Sequence, residues 1–245
     1  MMKYEELIDA IGKSILIYPL CEKNIRGSSV CLTSSQYAWS LKTKNLLPGN
    51  ENSISIEPHD IAILLTNETI SINKSIAGSC IANLYLSAMG LSMNSTLIDP
   101  GYTGRLLITF TNNSSQTVHI QFGDKIAHIR FHALKGETQL EQKFETWVHS
   151  RIFNTLNIKP PDVMYDAICR EPAALLGKLV GSNEYKRLDE RRKQKSILRR
   201  LRRISMPVIL IGVIVGIYIS SLPDTIKTAI PSIIALLTLI YTKNK

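Results

Sequence analysis

Short β-branched runs separated by turn residues constrain this chain more than any other feature. They are SILIY (Ser14–Tyr18), SISIE (Ser53–Glu57), IAILLT (Ile61–Thr66), TISI (Thr69–Ile72), RLLITFT (Arg105–Thr111), TVHIQF (Thr117–Phe122) and KIAHIRF (Lys125–Phe131). Between them stand Pro48-Gly49-Asn50, Pro58-His59-Asp60, Asp99-Pro100-Gly101, Asn112-Asn113-Ser114 and Gly123-Asp124. Many short runs with turn residues between them suit antiparallel strands better than a parallel α/β sheet. They predict a mainly β sandwich or barrel. The preceding residues, MMKYEELIDAIGK, are polar and read as a short helix, not as a signal sequence.

The other end of the chain is different in kind. Met206–Leu222 and Thr228–Tyr241 carry no charge over 17 and 14 residues, and the polar Pro223–Lys227 joins them. At ~1.5 Å per residue these stretches reach roughly 25 and 21 Å, short of a ~30 Å hydrocarbon core. Each can extend itself with neighbours: Leu201 and Ile204 for the first, Thr225 and Ile226 for the second. Lys and Arg flank both outer ends, so a two-helix transmembrane hairpin with both ends on the cytoplasmic side is expected over 204–242. A helical pair buried in a soluble core is the alternative. Charge is equally localised. Residues 186–203 hold ten Lys or Arg against Asp189 and Glu190, a local charge of +8 in a chain total of +9. Beside an apolar span, such a cluster suits anionic headgroups. Nucleic acid is not expected as a partner, because the remaining surface is close to neutral.

Cys21, Cys31, Cys80 and Cys169 have no paired spacing and are expected as free thiols in a reducing compartment. His128 and His132 stand four apart, but in strand-like sequence, where that interval has no meaning for a metal; no Cys/His cluster suggests zinc. No phosphate loop, nucleophile elbow or H-E-x-x-H stretch occurs. From Glu137 to Asn154, Leu140, Phe144, Trp147 and Val148 form one helical face, which Pro160-Pro161 ends. A short helix within Val163–Val180 and a charged one over 185–203 follow. The expected organisation is therefore a barrel over 1–136, a helical basic connector over 137–203, and the hairpin.

Three stretches resemble the dCTP deaminase and dUTPase superfamily of trimeric β-barrels: STLIDPGYTGRLLITFTN with FGDKIAHIRF (Ser95–Asn112, Phe122–Phe131), EPHDIAILLTNETISI (Glu57–Ile72), and ILIYP with SSVCLT (Ile15–Thr33). In the I-D-P-G turn, Pro100 sets one angle, Gly101 supplies a positive φ, and Gly104 admits a neighbouring chain or a ligand. Asp99 offers a hydrogen-bond acceptor and Tyr102 a stacking or packing face. The resemblance implies a nucleotide cleft touching Asn83, Tyr85, Thr96, Ile98, Asp99, Gly101, Tyr102, Arg105 and Thr109, with no cofactor beyond the nucleotide.

It also exposes departures. The family's general acid/base glutamate falls on Thr109, whose hydroxyl does not exchange protons near neutral pH. The Arg-Ser-Ser phosphate segment falls on Asn83-Leu84-Tyr85, and an expected aspartate on Cys31. Asp99 alone does not hold the magnesium that dUTPase chemistry requires. The chain is thus expected not to be an enzyme. In layout it is similar to two-transmembrane β-barrel effectors of bacterial antiphage nucleotide signalling. That likeness implies a homotrimer or higher oligomer in the inner membrane, multi-pass, with barrel and termini cytoplasmic. Its expected ligand is a cyclic di- or oligonucleotide from a partner synthase, controlling disruption of the lipid bilayer. The alternatives are a membrane-tethered dCTP deaminase or dUTP diphosphatase, and a scaffold without ligand.

Overall fold

The computed structural model describes residues 1–47, 52–138 and 146–198. The expected hairpin over 204–242 lies outside them, and among the described residues no helix is long and apolar enough to cross a membrane. Met1–Glu190 form one compact unit and a second begins at Arg191.

Helix α1 (Tyr4–Ala10) precedes the strands β1 (Ile15–Tyr18), β2 (Ile25–Arg26), β3 (Ser29–Ser40), β4 (Ser53–Ile56), β5 (Ile61–Ile72) and β6 (Ile76–Ala82). Helix α2 (Leu84–Ala88) follows, then β7 (Leu91–Met93), β8 (Thr96–Ile98), β9 (Thr103–Asn112), β10 (Val118–Gln121) and β11 (Lys125–Ala133). Among the described residues these strands all pair antiparallel, in the order β7-β9-β5-β3-β11-β6-β8, with β1 along β5, β2 along β3, and β10 paired to β4. The mainly β expectation holds. Alternation does the sorting: on β9, Leu106, Ile108 and Phe110 are buried while Thr103, Arg105, Leu107 and Thr109 are half-buried on the other face.

One strand differs from its expected form, and another has no counterpart among the expected runs. The runs Ile61–Thr66 and Thr69–Ile72 are one strand, because Thr66–Glu68 is a bulge between the partnered Leu65 and Thr69. Strand β3 is twelve residues long, although SVCLTSSQYAWS is too rich in Ser to read as one. It changes partner midway, from β11 at residues 29–33 to β5 at residues 34–40. The sheet turns its corner there.

Beyond the strands come α3 (Thr146–Leu156), 3₁₀ turns at Asp162–Tyr165 and Ala167–Cys169, α4 (Pro172–Gly181), and a helix starting at residue 183 and running through 198. Leu175 and Leu179 of α4 and Leu188 are almost fully buried and belong to the same core as Leu32, Leu64, Phe110 and Ile129. A smaller cluster on the opposite face of the sheet joins Trp39 and Leu65 to Phe153 and Ile158.

Candidate functional site

The Asp99–Tyr102 turn links β8, at one end of the strand order, to β9, the second strand from the other end. The Tyr102 amide donates to the Asp99 carbonyl at 3.2 Å, and the Gly101 amide, at φ +87°, to the Asn73 carbonyl at 3.2 Å. Asp99 is exposed at the tip. Tyr102 is only 1% exposed, and its hydroxyl donates to the Arg105 carbonyl at 2.7 Å. Packing, not stacking on a ligand, is what its ring does. A Cβ at Gly104 would come within 3.3 Å of the Tyr102 hydroxyl and 3.7 Å of the Cys169 carbonyl. The close approach that Gly104 permits is therefore made by this chain's own residues, in place of the expected neighbour or ligand.

The other nominated residues fall into two groups. Asn83 caps α2, accepting from the Tyr85 amide at 2.9 Å and donating to the Lys125 carbonyl at 2.6 Å, so its amide is used in holding the loop. Tyr85 is 68% exposed beside it. Thr96 pairs with Cys80 on the β6–β8 edge, and Ile98, buried opposite Gly78, is a core residue closed to ligand. Arg105 and Thr109 stand far along the strand order, on the outward face of β9. Thr109 lies opposite Ile63 of β5, which lies opposite Trp39 of β3, so these three form one row across the sheet. The Asp99–Tyr102 turn joins the two groups along the chain.

Glu68 was not among the nominated residues, although it stands in the second of the similar stretches. It is 4% exposed, in the β5 bulge where β3 changes partner. Its carboxylate accepts from the Thr33 amide at 2.8 Å and the Thr33 hydroxyl at 2.7 Å. Burial pushes its pKa above the usual carboxylate value; the Thr33 bonds and the Arg105 charge pull the other way. Arg105 reaches the Thr66 carbonyl at 3.5 Å, and its Nε is buried with no partner among the described residues. The available signal was an acid inside a β-branched run, a place where charge is costly.

Cys31 and His128 are direct cross-strand partners, Sγ to Nδ1 3.4 Å. Burial raises the Cys31 thiol, with Lys125 and Arg26 opposing it. Burial also lowers His128, aided by Arg130, Arg26 and Lys125. A neutral thiol beside a neutral imidazole is a packed pair, not an activated nucleophile. His132 reaches the Ser79 hydroxyl at 3.3 Å. Among the described residues no group of three or more His, Cys, Asp or Glu is placed to hold a metal ion.

The dCTP deaminase-like family profile matches residues 1–134, which is the barrel with its leading helix. The dCTP deaminase of Pyrococcus furiosus is 28% identical over 126 residues, 51% of this chain and 80% of that one. The dCTP deaminase of Thermococcus kodakarensis is 28% identical over 126 residues, 51% of this chain and 81% of that one. Among solved structures, the 2'-deoxycytidine 5'-triphosphate deaminase of Agrobacterium tumefaciens aligns with a TM-score of 0.46 at 13% identity, covering 63% of this chain and 52% of that one. With more than half its length matched, from Met1 through the last strand, this chain belongs to the dCTP deaminase-like family.

Proposed function

We propose that the barrel binds a pyrimidine deoxynucleotide of the dCTP or dUTP kind at the Asp99–Gly101 turn and the outward face of β9. The observation that carries this is the I-D-P-G turn, formed with a positive φ at Gly101 inside a barrel of the deaminase family. The relatives are named as dCTP deaminases, which favours a dCTP deaminase acting on nucleotide pools; a membrane tether for it rests on the charge-free stretches alone. Thr109 favours a second reading. With a hydroxyl where the family's glutamate is expected, the site retains a binding shape without the group that moves the proton.

In that second reading the barrel is the sensor of a membrane effector. Residues 206–222 and 228–241 cross the inner membrane, and the chain assembles as a homotrimer or higher oligomer. The nucleotide, including a cyclic one from a partner synthase, then controls disruption of the bilayer. Support for it comes from two charge-free stretches beside a +8 segment.

The deciding experiment uses the full chain in detergent, with equilibrium dialysis of dCTP and dUTP alongside product analysis. Saturable binding of either is expected. Turnover at an enzymatic rate selects the pool-enzyme reading. Binding without turnover, with deamination appearing in Thr109→Glu, selects the sensor. Failure of both nucleotides to bind overturns the proposal. Depolarisation on expression that requires residues 204–242 is the separate check on the effector role.

A further inference from the structure

A cleft of about 470 Å³ is lined by none of the nine residues discussed above. Its size falls in the range of roughly 300–1,000 Å³ usual for small-ligand sites. One wall is Tyr37 and Trp39 of β3, with Lys44 and Asn45 from the segment that follows; the other is Asn157, Lys159 and Asp162, after α3. The first wall lies within the family-matched barrel and the second lies beyond it.

The aromatic wall is packed from behind. Tyr37 and Trp39 project from the same side of β3, with ring centroids 6.5 Å apart and planes inclined by 14°. Phe153 meets the Trp39 ring edge-on at 5.1 Å and 76°. Trp39, at 3% exposure, is thereby fixed, and the half-buried Tyr37 ring above it presents a π-face at low entropic cost. The polar side chains on both walls are exposed. Lys44 and Lys159 supply one ammonium from each wall, and neither has a side-chain partner among the described residues. Asn45 and Asn157 add amides, which both donate and accept, and Asp162 adds an acceptor.

The geometry points to a binding site for a nucleoside phosphate in this cleft. The base stacks at Tyr37, the phosphate sits between Lys44 and Lys159, and the two amides read the edge of the ring. This is a second site. It lies on the same outward face as Thr109, whose row across the sheet runs through Ile63 to Trp39.

The chain has two tryptophans, so Trp147→Phe in the full-length protein leaves Trp39 as the sole indole reporter. Titrating that protein with dCTP and with cyclic di-adenosine monophosphate, against inorganic phosphate and cytidine as half-ligand controls, tests the assignment. A saturable change in Trp39 emission is expected with at least one nucleotide, and a weaker one with either control. Lys44→Ala with Lys159→Ala is expected to weaken it by about tenfold or more, as loss of charge-assisted bonds does. Asp99→Ala is expected to leave it unchanged. No saturable change at millimolar nucleotide overturns the inference, as does an unaltered response in the double lysine variant. A response lost in Asp99→Ala but kept in the lysine variant puts the nucleotide at the turn, which refutes the cleft and leaves the turn proposal intact.

Discussion

The two faces of the β9-β5-β3 sheet are built by different means. The inward face is closed by the barrel's own alternation: Leu106, Ile108 and Phe110 of β9 meet Ala62, Leu64 and Ile70 of β5 and Val30, Leu32 and Ala38 of β3. The outward face carries Trp39, Leu65 and Leu107, and its apolar cover is Phe153, Leu156, Ile158, Val163 and Met164, supplied from beyond the family-matched region. One face is thus built largely within the family-matched region, and the other is covered by this chain's continuation. The distinction is not absolute, since Leu175, Leu179 and Leu188 reach the inner core.

The largest expected effect breaks the inner face. Phe110→Ala should cost about 3–5 kcal/mol, because a fully buried ring leaves a cavity that a rigid barrel does not refill. Urea unfolding measures it, and a cost below about 1 kcal/mol would contradict a closed, well-packed inner core. Leu179→Ala should cost about 2–4 kcal/mol in the same assay. A loss confined to local exchange around α4 would show that this helix only rests on the barrel. Phe153→Ala removes the edge-on partner of Trp39 and should cost about 3 kcal/mol, the low end for a buried ring, with faster amide exchange over 146–169 and little change in the strands. Equal acceleration in β3, β5 and β9 would mean that the two faces unfold as one.

The smallest effect concerns Glu68, where the faces meet. Its folded pKa is raised, so the native state keeps the proton to a higher pH than the unfolded chain, whose glutamate titrates near the ordinary value of about 4.5. Its contribution is complete below that value and is lost as pH rises through the raised one. Glu68→Gln should flatten the dependence of the urea midpoint on pH across that window. Wild type and variant with parallel profiles would place the carboxylate in a more solvated setting than the structure does.

Much of the inner face was legible in advance. Arg105–Thr111 and Lys125–Phe131 alternate with a period of two, and that local pattern is enough to place a strand and choose its buried side. The I-D-P-G turn was equally readable. Strand β3 beyond Thr33 was not, because the small polar residues in its middle show no apolar alternation. Thr33, Ser34 and Ser35 are buried where the strand exchanges partners, and no local pattern encodes that exchange. Among the nominated site residues, Asp99 and Tyr85 lie at the surface as a ligand contact requires. Tyr102 and Ile98 do not, since the same apolar character that suits a ligand also suits a core.

What the sequence determined by itself is whatever depends on neighbours along the chain: strand periodicity, the glycine-dependent turn, the +8 segment, the charge-free stretches and the threonine at 109. Tertiary structure decided which distant residues share a surface. It put Phe153 on Trp39, from the far side of the family-matched region, closed Gly104 with Tyr102 and Cys169, and buried Glu68 against Thr33. The physical reason is that periodicity is written into adjacent residues, whereas burial of a polar group or an aromatic shelf depends on pairing across long loops.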